Sequence, residues 1–397
     1  MTRHSLAFRQ LAALTAVHFM VDMLSGTLPG FLPVLLEKYT LSIGMGTVLL
    51  TLCAFSSNTI QLWAGTLRKT ATRPRLIQTG VLLGCIICFI GLIPAGPGAM
   101  WMLTALVLVL GVGVALVHPE GLRAVCAIDG SAIPPAVATS IFMLSGFLGY
   151  AAGPLLGGTL VEFAGFPGLF LLLIPAVLLV LALGALRLRL AKDGAGAKNA
   201  PRLPGGDLLT FREVFLVATL INTGCTVMQG LLPTCLNEVH GFSLSFGGLS
   251  AMLFGAGAGI GALTTSFLVR RIHVIKCILW EIAAGLPFLI WYLCAAGSPA
   301  AVALLFVAGM LVGAGFPQLV VLARTAPDGP ALGTRMGLIV GGTWGVAGLL
   351  LLGVGFLADR IGLRAAMFVS PAAFLAVIAI TLHLLWKHRE KRAEKLA

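Results

Sequence analysis

The stretch Gly149-Tyr150-Ala151-Ala152-Gly153-Pro154-Leu155-Leu156-Gly157-Gly158 carries no charge and sets glycines four positions apart. On a helix, that spacing lines one face with small residues and lets a neighbouring backbone approach closely. Pro154 cannot donate to the helical ladder and adds a bend. The stretch sits inside an apolar run over 134–161. Such a run exceeds the ~20 residues needed to cross a bilayer as a helix.

Working outward, comparable runs predict twelve spans in all, at about 10–37, 43–67, 76–94, 99–124, 134–161, 166–187, 211–236, 244–269, 274–295, 299–323, 332–357 and 363–386. Composition agrees. Of 397 residues, 58% are hydrophobic and 10% charged, against roughly 25% charged in a soluble domain. The mean hydropathy is +1.03. The 26 basic and 14 acidic side chains are too few to cover a soluble surface of this size. A soluble enzyme, a disordered chain and a secreted disulfide scaffold are excluded, leaving a polytopic helical membrane protein. The first run is too long for a signal-peptide core and carries His18 and Asp22 in its middle, so it is expected to stay attached as the first span.

The net charge of +12 is read from its placement. Arg3, Arg9, Arg68, Lys69, Arg73, Arg75, Arg123, Arg187, Arg189, Lys192, Lys198, Arg202, Arg212, Arg270, Arg271, Lys276, Arg324, Arg335 and the tail from Lys387 fall on one side. Only Lys38, Arg360 and Arg364 fall on the other. The positive-inside rule then puts both termini in the cytoplasm, with the lipid bilayer as the partner and no nucleic-acid face. The polar segment 188–210 predicts a cytoplasmic linker between six-span halves at 1–187 and 211–397.

The halves repeat. Gly30-Phe31-Leu32-Pro33 ends the first span and Gly230-Leu231-Leu232-Pro233 the seventh, each followed by a Leu-Ser pair (Leu41-Ser42, Leu244-Ser245). The run from Gly158 through Glu162 to Gly165 ends span five, and that from Gly355 through Asp359 to Gly362 ends span eleven at a similar offset. The expected fold is therefore an all-α membrane protein, twelve transmembrane helices in two pseudo-symmetric six-helix bundles. A parallel duplication of this kind is the major facilitator plan, which holds substrate between the halves near the midplane.

Charge in hydrocarbon costs about 2.5–3.5 kcal/mol per side chain on insertion scales, so intramembrane charges mark candidate sites. Span one carries His18 and Asp22, and their i, i+4 spacing puts both on one face. Span four carries His118-Pro119-Glu120 followed by Arg123, whose i, i+3 spacing from Glu120 allows pairing. Span nine carries Glu281. Carboxyl groups in a low-dielectric cavity, with imidazoles to relay protons, suit proton coupling at Asp22 and Glu120 through His18 and His118. A static ion pair joining spans one and four is the structural alternative. The second half offers Asn222, Gln229, Gln318, Trp344 and Glu281 as candidate substrate contacts, with helix-to-helix hydrogen bonding as the alternative.

Other chemistry is not indicated. There is no G-x-x-x-x-G-K-[ST] loop, no zinc-type spacing of His and Cys, and no cofactor signature. Cys85 and Cys88 lie in an apolar run, where packing rather than redox chemistry is expected. Gly255, Gly257, Gly259 and Gly261 fall inside span eight with no preceding strand, so they predict close helix packing rather than a nucleotide loop.

The string Gly149, Gly153, Pro154, Gly157, Gly158 resembles the G-x-x-x-G-P-x-x-G-G motif of major facilitator antiporters at every defined position. The resemblance implies a packing seam between the halves. The segment Gly65-Thr66-Leu67-Arg68-Lys69 through Arg73 and Arg75 is similar to the family's basic cytoplasmic loop, with Lys69 near the place of its usual acidic residue. His18-Phe19-Met20-Val21-Asp22, the His118 to Arg123 segment and Ser140-Ile141-Phe142 look like the fosmidomycin-resistance group of that superfamily. That resemblance implies a monomeric, proton-driven exporter of small polar molecules, with Asp22, His118, Glu120 and Arg123 in functional positions. Proton-linked uptake of a small solute or sugar, a membrane enzyme, and a non-transporting receptor or scaffold are the competing readings. No clustered polar set at one interface supports the enzyme.

Overall fold

The computed structural model describes every residue except 1–2, 65–74, 187, 189–208, 270, 296–297, 327, 331 and 395–397. The basic loop after the second span and most of the expected linker therefore lie outside the described residues. Twelve helices are long and apolar enough to cross a membrane. They are α1 (His4–Tyr39), α2 (Ile43–Gln61), α3 (Arg75–Leu92), α4 (Ala99–Cys126), α5 (Val137–Ala164), α6 (Phe166–Ala185), α7 (Phe211–Glu238), α8 (Leu244–Leu268), α9 (Val274–Cys294), α10 (Val302–Arg324), α11 (Thr334–Ile361) and α12 (Leu363–Lys387). These match the expected twelve to within a few residues. α1 begins earlier than expected because Ala7 and Leu11 are already buried.

The chain forms two compact units, one of residues 1–198 with 233–252, the other of residues 199–232 with 253–397. In the first, α1 is the interior helix. It touches α2, α3, α4, α5 and α6, and 78% of its apolar window is buried against 28% for α6. The more apolar of the two is the more exposed one, with mean hydropathy 2.7 for α6 against 1.5 for α1, as expected where lipid rather than water covers the outer helices. Small residues separate the two helices. Gly26 and Gly30 on α1 abut the backbone of Tyr150 and Pro154 on α5. In return Gly149, Gly153 and Gly157 abut Phe19, Gly26 and Thr27. Every one of these positions lacks room for a Cβ, which is how the two backbones come together.

The second unit repeats the device. Gly257 and Gly261 on α8 meet the backbone of Phe306 and Met310 on α10, and Gly309 meets Phe254 in return. Gly257 and Gly261 of span eight thus serve helix packing, as expected. α7 is the interior helix here, with 78% of its window buried. α10 is interrupted after Val312, and α11 carries a π-helical turn at Leu338–Gly342, after its first α-helical residues.

The repeated octapeptides end their helices in the same way. Gly165 after α5 and Gly362 after α11 have φ of 60° and 88°. Each returns its N–H to the carbonyl four residues back, Val161 or Ala358, at 2.9 Å. Positive φ carries no penalty in glycine and stops the helix there.

Candidate functional site

Asp22 lies on the interior helix α1, inside the bundle rather than on its lipid face. Its Oδ2 is 3.3 Å from His18 Nε2, one helical turn away, and its Oδ1 is 3.4 Å from His118 Nε2 on α4. The two imidazoles meet edge-on with centroids 4.8 Å apart. His18 is 2% exposed, Asp22 13% and His118 22%. The cluster is thus enclosed by protein but reachable on the Asp22–His118 side.

The other ring nitrogens are anchored. His18 Nδ1 lies 2.7 Å from the carbonyl oxygen of Phe142 on α5, and His118 Nδ1 lies 2.9 Å from that of Val114. A carbonyl only accepts, so both Nδ1 atoms donate, and neutral rings present the Nε2 lone pair to Asp22. An ionised carboxylate is also acceptor-only. Each close Nε2–oxygen approach therefore requires a proton, on the imidazole or on the carboxyl.

Two further residues shape the cluster. The Phe142 ring stacks on His18 with centroids 4.1 Å apart and planes 18° from parallel. Gly146 on α5 packs directly on the cluster. A Cβ there would stand 2.5 Å from His18 Nε2 and 2.6 Å from Asp22 Oδ2.

The other sequence candidates separate by position. Glu120 lies on α4 with His118 and is 2% exposed, but the residue of that span meeting Asp22 is His118. In the second unit, three of the polar candidates are engaged with neighbouring helices. Asn222 is buried and donates to Thr343 Oγ1 at 2.9 Å, tying α7 to α11. The Glu281 carboxylate on α9 accepts a hydrogen bond from the Thr265 hydroxyl on α8. The Gln318 amide, oriented to satisfy both ends, donates to Ala314 at 2.8 Å and accepts from the Ser266 N–H at 3.2 Å. Gln229 is half-buried, and Trp344 meets Phe316 edge-on at 5.6 Å.

The family profile described as Major Facilitator Superfamily matches residues 14–323. The chain belongs to the Major Facilitator Superfamily. A Bacillus subtilis (strain 168) protein, the uncharacterised MFS-type transporter YfnC, is 26% identical over 390 residues, spanning 93% of this chain and 90% of that protein. Among solved structures, an inward-facing, unoccupied bacterial homologue of the human lysosomal transporter Spinster superposes with a TM-score of 0.73 at 16% identity, over 96% of this chain and 97% of that one. The nucleoside transporter NupG (D323A mutant) gives 0.71 at 12%, covering 94% and 99%. The peptide transporter POT in complex with sulfate gives 0.72 at 13%, covering 98% of each. These likenesses establish the fold. The chain is a multi-pass membrane transporter, not an enzyme.

Within the major facilitator fold, the antiporter-type glycines of this chain lie mainly against α1. Gly149, Gly153 and Gly157 face that helix, and only Gly158 reaches Leu244 at the start of α8. On α8, Gly248 in turn abuts Pro154 and Leu155. Beside this contact, Glu162 Oε2 accepts from the Ser245 N–H at 2.7 Å, capping α8. The part that three participants play at Asp22 was not read from the sequence, although Phe142 lies in a segment that carries the family resemblance. The Phe142 and Val114 carbonyls and Gly146 act through backbone position, which side-chain spacing does not report. Linear spacing also hid the meeting of His118 with Asp22, because the two lie on different spans.

Proposed function

We propose that this transporter is a proton-coupled antiporter that exports a small organic molecule by alternating access. The observation that carries this reading is a carboxyl group on an interior membrane helix, in contact with two imidazoles whose Nδ1 atoms are both committed. Asp22 and the two Nε2 atoms form a proton store. His118, the more exposed ring, exchanges protons with the accessible side, and His18 holds the carboxylate from the sealed side. Intramembrane ionisable groups of this kind are costly and are found in proton relays. Glu120 and Arg123 stand further along α4 as a second carboxyl and its basic neighbour.

The antiporter-type glycine string favours exchange over uptake. Gln229 and Trp344 are proposed substrate contacts. Asn222, Gln318 and Glu281 are proposed to hold α7 to α11 in place around them, since each already bonds to a neighbouring helix. We propose a cell (inner) membrane location with both termini cytoplasmic on the arginine and lysine distribution, and a monomer on the family resemblance alone.

A thermal-shift screen across antibiotics and metabolites identifies a solute, because a ligand of the folded state stabilises it. Inverted vesicles with an acidic lumen should then accumulate that solute. Accumulation only with the opposite gradient would favour proton-linked uptake, and no gradient dependence would favour a receptor or scaffold.

A further inference from the structure

We propose that His18, Asp22 and His118 form a binding site for a divalent transition-metal ion of the zinc class. The cluster supplies two imidazole nitrogens and a carboxylate oxygen, all within 4.8 Å of one another. Zinc bonds to such atoms at about 2.0–2.2 Å, which sets neighbouring ligands of a tetrahedral site roughly 3.3–3.5 Å apart. The two Nε2–oxygen separations are 3.3 and 3.4 Å. His18 Nε2 stands at that spacing from Oδ2 and His118 Nε2 from Oδ1, so each imidazole is one tetrahedral edge from an Asp22 oxygen, and a turn of the carboxyl group brings a single oxygen to both.

The outer contacts are an independent second observation. A metal-bound histidine donates its other ring N–H to a carbonyl or carboxylate, which fixes the tautomer and aims the free lone pair at the ion. Both rings meet this condition, through the Phe142 and Val114 carbonyls. The Phe142 ring stacked on His18 and the backbone of Gly146 against it hold that ligand's orientation. The donor set selects among ions. Two nitrogens and one carboxylate suit zinc, nickel, copper or iron, whereas calcium and magnesium require oxygen-rich shells of six or more. Three protein ligands leave a fourth position open, as in zinc sites that bind water or a solute. Asp22 and His118 are the two ligands that keep accessible surface, so that position opens on their side.

The site shares side chains with the proposed proton store but does not rest on proton coupling. Its test needs no gradient and no transported solute. The full chain is purified in detergent, stripped with a chelator and titrated with zinc chloride by calorimetry. Cobalt chloride serves as a spectroscopic probe, since a tetrahedral cobalt site absorbs strongly in the visible. The expected result is one zinc ion per chain, no heat with magnesium, and the tetrahedral cobalt band. Asp22→Asn, His18→Ala and His118→Ala should each weaken zinc binding by about 100-fold or more, since loss of outer-shell partners alone costs about 10–100-fold. His118→Ala alters the most exposed ligand and keeps the experiment decisive should His18→Ala not fold. The absence of saturable zinc binding to the wild-type chain would overturn the proposal. Undiminished binding in folded His118→Ala and Asp22→Asn chains, shown by unchanged metal-free thermal transitions, would overturn it as well. Failed proton coupling would leave the zinc titration as expected, and failed zinc binding would leave gradient-driven flux unaltered.

Discussion

Gly146 packs against both His18 and Asp22, with no room for a side chain of its own. A methyl group there would press on His18 and on Asp22 from one side. In a packed interior, an added methylene forces shifts costing about 1–3 kcal/mol. Gly146→Ala is therefore expected to lower the thermal transition and to reduce gradient-driven flux sharply, measured on the same purified protein. Gly353 on α11 has open space at its Cβ position, so Gly353→Ala should leave flux unchanged and hold or raise the transition, since alanine favours a helix over glycine. Asn222 illustrates the opposite kind of residue. Its bond to Thr343 is internal to the protein, and interhelical hydrogen bonds in membranes contribute about 0.6 kcal/mol on average. Asn222→Leu should cost about 1 kcal/mol or less in unfolding measurements while leaving flux near wild type. A large loss of flux with unchanged stability would instead place Asn222 at the substrate.

At the scale of elements, the helix ends preserve a trace of the duplication that the sequence repeat suggested. After α7, Phe242 N–H returns to the Leu236 carbonyl at 3.0 Å, with Gly241 at φ 69°. After α1, Leu41 N–H returns to the Leu36 carbonyl at 2.9 Å, with Thr40 at φ 50°. One closure uses glycine and the other a β-branched residue, for which the left-handed region costs about 1–2 kcal/mol. Thr40→Gly should therefore raise stability by about 1 kcal/mol, read as a higher thermal transition with flux retained. A lower transition would mean that the Thr40 side chain contributes more than its backbone costs. Span number, the glycine-paired helices and the repeated ends were legible because hydrocarbon demands long apolar runs and close packing demands small residues. The triad was only half legible. His18 and Asp22 share a helical face, but His118 joins them through the packing of α1 against α4, which no spacing within one helix reveals. The hydrogen bonds of Asn222, Gln318 and Glu281 to neighbouring helices were not legible for the same reason, since a polar group in an apolar run looks alike whether it meets solute or a neighbouring helix.

At the scale of the molecule, a major facilitator fold carries the proposed proton store on two helices of its first unit, α1 and α4. The asymmetry is chemical. The first unit places a carboxyl group between two imidazoles, while the second commits Asn222, Gln318 and Glu281 to bonds between helices. The most direct measurement is solute-induced collapse of a pH gradient in inverted vesicles, followed with a pH-sensitive dye, comparing wild type with Asp22→Asn. Solute is expected to collapse the gradient in wild-type vesicles and to leave it standing in Asp22→Asn vesicles that contain equal amounts of folded protein. Collapse at the wild-type rate in the Asp22→Asn vesicles would contradict it.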